Sequence, residues 1–127
     1  YSSTFMTCSR YKKIDLENQQ IEIEVIMNPT LQNNVGEIHP GALFSWVDEA
    51  TVFVKIGVER EQVDCVSVFI ELQQFKHIVP LGDTITIIAR CGKAGRRLHF
   101  FHAEFYHKQD LIAKGTHIST PVIAPKL

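Results

Sequence analysis

From Pro40 to Gly57 the chain reads as a helix with almost no face left for water. Leu43, Trp46, Val47, Ala50, Phe53 and Val54 recur at helical spacing, and Phe44 and Val52 widen the apolar surface around them. A helix that is apolar nearly all round has to be wrapped by other elements. Its limits are also written locally. His39 precedes a proline, which biases it away from helical angles and suits it to the N-cap. Pro40 fits the first helical position, where its missing N–H costs nothing. Gly57 is the expected terminator. The stretch has 18 residues at most and contains Asp48, Glu49 and Lys55, so it reads as a buried helix and not as a membrane span.

The rest of the chain supplies the wrapping. A weak strand is expected at about 10–16. Ile21, Ile23 and Val25 alternate with Glu22 and Glu24, which makes 20–27 a half-exposed strand. Residues 30–38 read as loop, with Asn33, Asn34 and Gly36 as turn formers. Four strands are expected after the helix, at 65–76, 83–91, 97–107 and about 111–119. Val66, Val68, Ile70 and Leu72 share one face of the first, and Ile85, Ile87, Ala89 and Cys91 one face of the second. In the third, Leu98 and Phe100 give way to Phe101, Ala103 and Phe105, a change of parity that predicts a bulge. Turns are marked at Pro80–Asp83, Gly92–Gly95 and His107–Asp110, and connections this short imply antiparallel hairpins. With 127 residues, no internal repeat and no linker, the expectation is a single domain over 1–127. Its class is α+β: one antiparallel β-sheet wrapped around one long central helix.

Thirteen Lys and Arg against fourteen Asp and Glu leave a net charge of −1, so a nucleic-acid partner is not expected. Three widely spaced cysteines, Cys8, Cys65 and Cys91, form no CxxC pair. They argue against a disulfide framework or a zinc ribbon and for a reducing compartment. The expected location is intracellular, cytoplasm first. A mitochondrial one stays open, because the chain does not begin with Met and a removed targeting segment is compatible with that.

Two features point to chemistry. Asp48 and Glu49 are carboxylates in the middle of an apolar helix. They form either a narrow polar stripe with Ser45 and Lys55 or a site, because burying a carboxylate without a partner is costly. The helix start is the second feature. Its backbone N–H groups and dipole favour a developing oxyanion, and with Pro40 unable to donate, the donors on offer are Gly41 and Ala42. Eight residues separate Pro40 from Asp48, roughly 12 Å of helix rise. One reacting atom can reach both only if two copies of the chain bring them together, as in a symmetric dimer.

Other groups are weaker. His99 and His102 should face opposite ways on a strand, and His77, His107 and His117 stand alone, so no metal site is expected. The cysteines read as small buried hydrophobes. Arg90, Lys93, Arg96 and Arg97 form the one basic cluster, which either holds a phosphate-bearing ligand or is a solvated turn.

Taken together, Asn33-Asn34-Val35-Gly36-Glu37-Ile38-His39-Pro40-Gly41-Ala42 followed by Val47-Asp48 resembles the N-x-x-G-x-x-H-G-G…D motif of hotdog-fold acyl-CoA thioesterases of the phenylacetyl-CoA (PaaI-like) type. Val66-Ser67-Val68, Pro80-Leu81-Gly82-Asp83, Gly95-Arg96-Arg97-Leu98 and Leu111-Ile112-Ala113-Lys114-Gly115 follow in the family's order, and the resemblance spans roughly residues 10–120. It implies a hotdog fold, a homodimer that usually pairs into a homotetramer, and two sites per dimer at the subunit interface. It makes Asp48 the general base or nucleophile on a thioester. A backbone N–H at the partner's helix start polarises the carbonyl. Asn33 and His39 line the reacting centre, and Ser67 lies near the attacking water. Coenzyme A enters only as part of the substrate, with no separate cofactor. Its nucleotide end is assigned loosely to Lys93, Arg96 and Arg97.

The chain departs from the family at one place. The residue after the motif histidine is usually a glycine whose N–H is the oxyanion donor, and here it is Pro40. Either Gly41 supplies the N–H or catalysis differs, since losing one such donor typically costs about 10²–10³ in rate. The primary expectation is an acyl-CoA thioesterase releasing CoA and a free acid. A non-catalytic acyl-CoA-binding or regulatory module is the first alternative, and a hotdog enoyl-thioester hydratase or dehydratase the second.

Overall fold

A computed structural model of the chain describes residues 9–15, 17–59, 65–94 and 98–121, with side chains described over 13–15, 17–50, 66–92 and 98–120. The element order follows the sequence expectation. Strands β1 (Ser9–Asp15) and β2 (Gln20–Ile26) lead through a short 3-10 turn, Pro29–Leu31, to helix α1 (Pro40–Glu59). Strands β3 (Cys65–Gln74), β4 (Thr84–Ala94), β5 (His99–His107) and β6 (Asp110–Pro121) follow. All pairings are antiparallel, in one six-stranded sheet of order β1-β2-β4-β5-β6-β3.

The inward phase of each strand is set by its alternation. Ile21, Ile23 and Val25 on β2, Ile85, Ile87 and Ala89 on β4, and Phe101, Ala103 and Phe105 on β5 are all buried. One row across this inner face is nearly flat. Ile21 pairs with Ala89, Ala89 with Ala103, Ala103 with Gly115, and Gly115 with Leu72. The small central members leave a trough, and α1 lies in it, packed on β2 through β6. Gly115 is where the approach is tightest. A Cβ there would stand 2.5 Å from Val47 Cγ2 and 3.2 Å from the Glu71 carbonyl oxygen. Trp46 fills the space beside the trough, stacked on Phe105 with ring centroids 6.1 Å apart.

Four details differ from the sequence reading. First, α1 runs through Gly57 to Glu59, because an interior glycine costs only about 1 kcal/mol relative to alanine and does not by itself end a helix. Second, a single sheet covers only one side of the helix. Ala42, Leu43, Trp46, Val47 and Ala50 are buried, but Phe44 is 41% exposed and Ser45, Asp48 and Glu49 are half-buried on the other side. The side chains of Val52, Phe53, Val54 and Lys55 lie outside the described ones. Third, β5 keeps one phase from His99 to Phe105, and the irregularity opposite Phe100–Phe101 has its extra residue on β4, at Gly92 between Cys91 and Lys93. His99 takes an inward position, and reading only apolar residues shifts the apparent parity to Leu98 and Phe100. A further bulge lies in β3, between Ser67 and Phe69. It turns Val66 and Val68 outward, 53% and 58% exposed, and puts Ser67 on the inner face with Ile70 and Leu72.

Fourth, the turn at Pro80–Asp83 is real but does not close a hairpin. Gly82 has φ +88° and the Asp83 N–H donates to the Pro80 carbonyl at 3.1 Å. The connection instead carries the chain from β3 at one edge to β4, which pairs with β2 and β5. In the sheet so formed, β4 contributes Ala89 to the trough, and Leu72 of β3 pairs with Gly115 on β6.

If the trough positions the helix, Gly115→Ala should lower stability by about 1–3 kcal/mol through overpacking against Val47. It should be read as a lower urea midpoint at unchanged m-value.

Candidate functional site

The helix start and the loop before it form one compact unit. Leu31 is fully buried, Gln32 bridges to Ile38, and the His39 N–H donates to the Leu31 carbonyl at 2.9 Å, closing the neck. Inside, the Asn33 Oδ1 accepts from the Val35 and Glu37 N–H groups, both at 3.0 Å. With that oxygen engaged by the backbone, the Nδ2 amide is what Asn33 can offer a ligand. Gly36, at φ +82°, makes the turn possible. The Ile38 N–H donates to the His77 carbonyl at 2.7 Å, which braces the loop against the β3–β4 connection.

His39 is the N-cap, as its place before Pro40 predicts. Its Nδ1 accepts from the Gly41 N–H at 2.9 Å and its carbonyl from the Ala42 N–H at 3.0 Å. A neutral ring that accepts at Nδ1 carries its proton on Nε2. The Gly41 N–H, expected as an oxyanion donor, is therefore engaged by the cap, and Pro40 beside it is exposed and has none.

The second half of the site lies two turns further on. Asp48 Oδ1 stands 3.8 Å from His117 Nε2. The same nitrogen is 2.8 Å from Ser67 Oγ. Three elements build this group: α1 supplies Asp48, the bulged β3 supplies Ser67, and β6 supplies His117. The His117 side chain is 4% exposed and that of Asp48 49%. Burial pushes the His117 imidazole below the usual histidine range, and the Asp48 charge opposes the shift without reversing it. Because Ser67 and Asp48 meet the same ring nitrogen, they are not on opposite sides of the imidazole. A serine–histidine–aspartate relay, which needs the carboxylate on the other nitrogen, is excluded by this geometry.

The structure thus joins Asp48 and Ser67 through His117 and leaves Asn33, His39 and Gly41 at the helix start, about two turns away. His117 was not among the sequence candidates. Its signal was faint: it shares the inward phase of β6 with Ala113 and Gly115. His99 and His102 do face opposite sides, one buried and one exposed. Among the described residues, no group of three or more His, Cys, Asp or Glu is placed to hold a metal ion.

The basic cluster loses a member. Arg90 is paired with Glu104 on the neighbouring strand, and Glu104 also accepts from the Tyr106 hydroxyl at 2.8 Å. Antiparallel pairing puts an acid beside Arg90 that is fourteen residues away in the chain. Lys93 lies on β4 with its side chain outside the described ones, and Arg96 and Arg97 lie outside the described residues. Among the described residues, no helix is long and apolar enough to cross a membrane.

A family model described as "Thioesterase superfamily" matches residues 35–114. No curated protein matches the sequence closely. Solved structures do resemble it. Zebra fish thioesterase superfamily member 2 is 22% identical, with a TM-score of 0.84 over 97% of this chain and 86% of its own. A hypothetical thioesterase from Streptococcus pneumoniae, solved with coenzyme A, is 20% identical, with a TM-score of 0.83 over 96% and 91%. The PaaI protein of the E. coli phenylacetic acid degradation operon is 16% identical, with a TM-score of 0.80 over 95% and 85%. At these identities the likeness is one of fold.

A histidine pushed down by burial makes stability depend on pH in a definite sense. Its contribution is present above the unfolded-state value near 6.5 and is lost as pH falls from there through the lower folded-state value. Denaturant melts should therefore show stability falling below about pH 6.5. His117→Asn, which cannot titrate, should flatten that slope.

Proposed function

The chain belongs to the thioesterase superfamily, and on that premise we propose that it hydrolyses an acyl-CoA or aryl-CoA thioester to coenzyme A and a free acid. The observation behind this reading is the half-exposed Asp48 carboxylate, held on the helix beside Ser67 and buried His117. Asp48 serves the attack on the thioester carbonyl, either by taking a proton from water or by attacking itself. The carbonyl oxygen is polarised from a second copy of the chain, by the Asn33 amide and the helix start around His39 and Gly41. Coenzyme A is the carrier part of the substrate and no other cofactor is called for. The Streptococcus pneumoniae thioesterase, with coenzyme A in its structure, supports that substrate class.

Two observations support a homodimer with sites at its interface. The two halves of the site are separated by roughly 12 Å of helix within one chain. β3 is an edge strand bearing exposed Val66, Val68 and Phe69, a surface suited to pairing with its own copy. Pairing of dimers into a tetramer rests on the resemblance. So do the assignment of Lys93, Arg96 and Arg97 to the nucleotide end of CoA and the intracellular, cytoplasmic or mitochondrial, location.

Pro40 and the capped Gly41 N–H favour one other reading, an acyl-CoA-binding module without turnover. Release of CoA from short, long and aryl acyl-CoAs separates the two. The wild type should turn over, and Asp48→Asn should lose about 10²–10⁴-fold in kcat while staying folded. Tight binding of every ester with no release of CoA would establish the binding module instead.

A further inference from the structure

We infer that His117 is a positioning residue, which fixes the direction of the Ser67 hydroxyl hydrogen by donating its own Nε2–H to Ser67 Oγ. This rests on the hydrolytic reading of Asp48 and adds to it a group that acts through Ser67.

The Ser67 Oγ and His117 Nε2 are 2.8 Å apart, and either could be the donor. Asp48 favours the imidazole as the donor. Its carboxylate stands 3.8 Å from the same nitrogen, and a negative charge there repels a lone pair and attracts an N–H dipole. The neutral ring therefore carries its proton on Nε2, and Ser67 Oγ accepts it. A hydroxyl that accepts from histidine must point its own hydrogen elsewhere. In the half-exposed space between Ser67 and Asp48, that hydrogen is donated to the oxygen of a water molecule.

The surroundings keep the ring in this state. From α1 the acidic groups are Asp48 and the adjoining Glu49. From β3 the ring meets Ser67, with Ile70 as its direct cross-strand partner. From β5 it meets its cross-strand partner Phe101, with ring centroids 6.1 Å apart, and the buried His99, which packs on Phe101 at 6.2 Å, is its diagonal neighbour on the inner face. Burial on these sides disfavours the imidazolium.

The reaction follows without moving a proton on either residue. Water, held by the Ser67 O–H, attacks the thioester carbon as one of its protons passes to the Asp48 carboxylate. The tetrahedral intermediate collapses, the C–S bond breaks, and the departing sulfur takes the proton from Asp48. The products are the free acid and CoA thiol, with no acyl group on Ser67. An imidazolium at His117 would still donate to Ser67, but its charge 3.8 Å from Asp48 would weaken that base. Activity should therefore fall with His117 protonation as well as with Asp48 protonation.

The test is CoA release by wild type, Ser67→Ala, His117→Ala, His117→Gln and the double alanine variant, from pH 5 to 9. Ser67→Ala and His117→Ala should each lose about tenfold in kcat with KM little changed, and the double variant should be no worse than the poorer single one. His117→Gln, whose amide can still donate, should recover part of kcat, and its acid limb should show one ionisation where the wild type shows two. Multiplying losses, a His117→Ala variant as active as wild type, or an acid limb unchanged in His117→Gln would overturn the role. Nitrogen NMR of the His117 ring reads the tautomer without any turnover. A protonated Nε2 is expected, and a protonated Nδ1 with bare Nε2 would refute the inference even in an active enzyme. Wild type inert on every ester but with Nε2 protonated would sink the hydrolytic reading and His117's part in it, leaving only the hydrogen bond.

Discussion

The contact between Val47 and Gly115 sets the position of everything around it. There is no room for a Cβ at Gly115, so the helix settles against the backbone of β6. Once Val47 is seated on Gly115, the next residue of the helix, Asp48, falls beside the next inward residue of β6, His117. Core packing and site geometry are thus one fact seen from two sides. The row of Ala89, Ala103 and Gly115 that makes the trough is as much a part of the site as the carboxylate.

The start and the middle of the functional helix each meet an imidazole, and the two rings act in opposite ways. At its start, an imidazole accepts a backbone N–H and so acts as a cap. Beside its middle, a second imidazole is buried, kept neutral and meets a hydroxyl and a carboxylate at one ring nitrogen. The same side chain thus serves as acceptor in one place and, by our inference, as donor in the other. What differs is the local field: helix N–H groups converge on His39, whereas the Asp48 charge faces His117.

Much of the fold was legible in the sequence, for clear reasons. Ile21/Ile23/Val25 and Ile85/Ile87/Ala89 alternate cleanly, and the Pro40 start with its apolar helix admits few other readings. The two misread strand phases have a common cause. His99 and Ser67 are polar residues on the inner face, so a pattern built from apolar residues assigned the wrong phase to β5 and β3. Within the site, Asp48 stood out because a carboxylate interrupts an apolar helix, and His39 because it precedes Pro40. His117 did not, because its significance depends on Ser67, fifty residues away. The pairing of Arg90 with Glu104 was hidden in the same way, being visible only once β4 and β5 are placed side by side.

The extra residue at Val68 changes the counting rule of its strand. In an uninterrupted strand, positions three apart face opposite sides. Ser67 and Ile70 are three apart and face the same side. The bulge therefore lets one strand keep two independent phases, one set by the reacting group and one by the core. A regular strand would have had to give up one of the two.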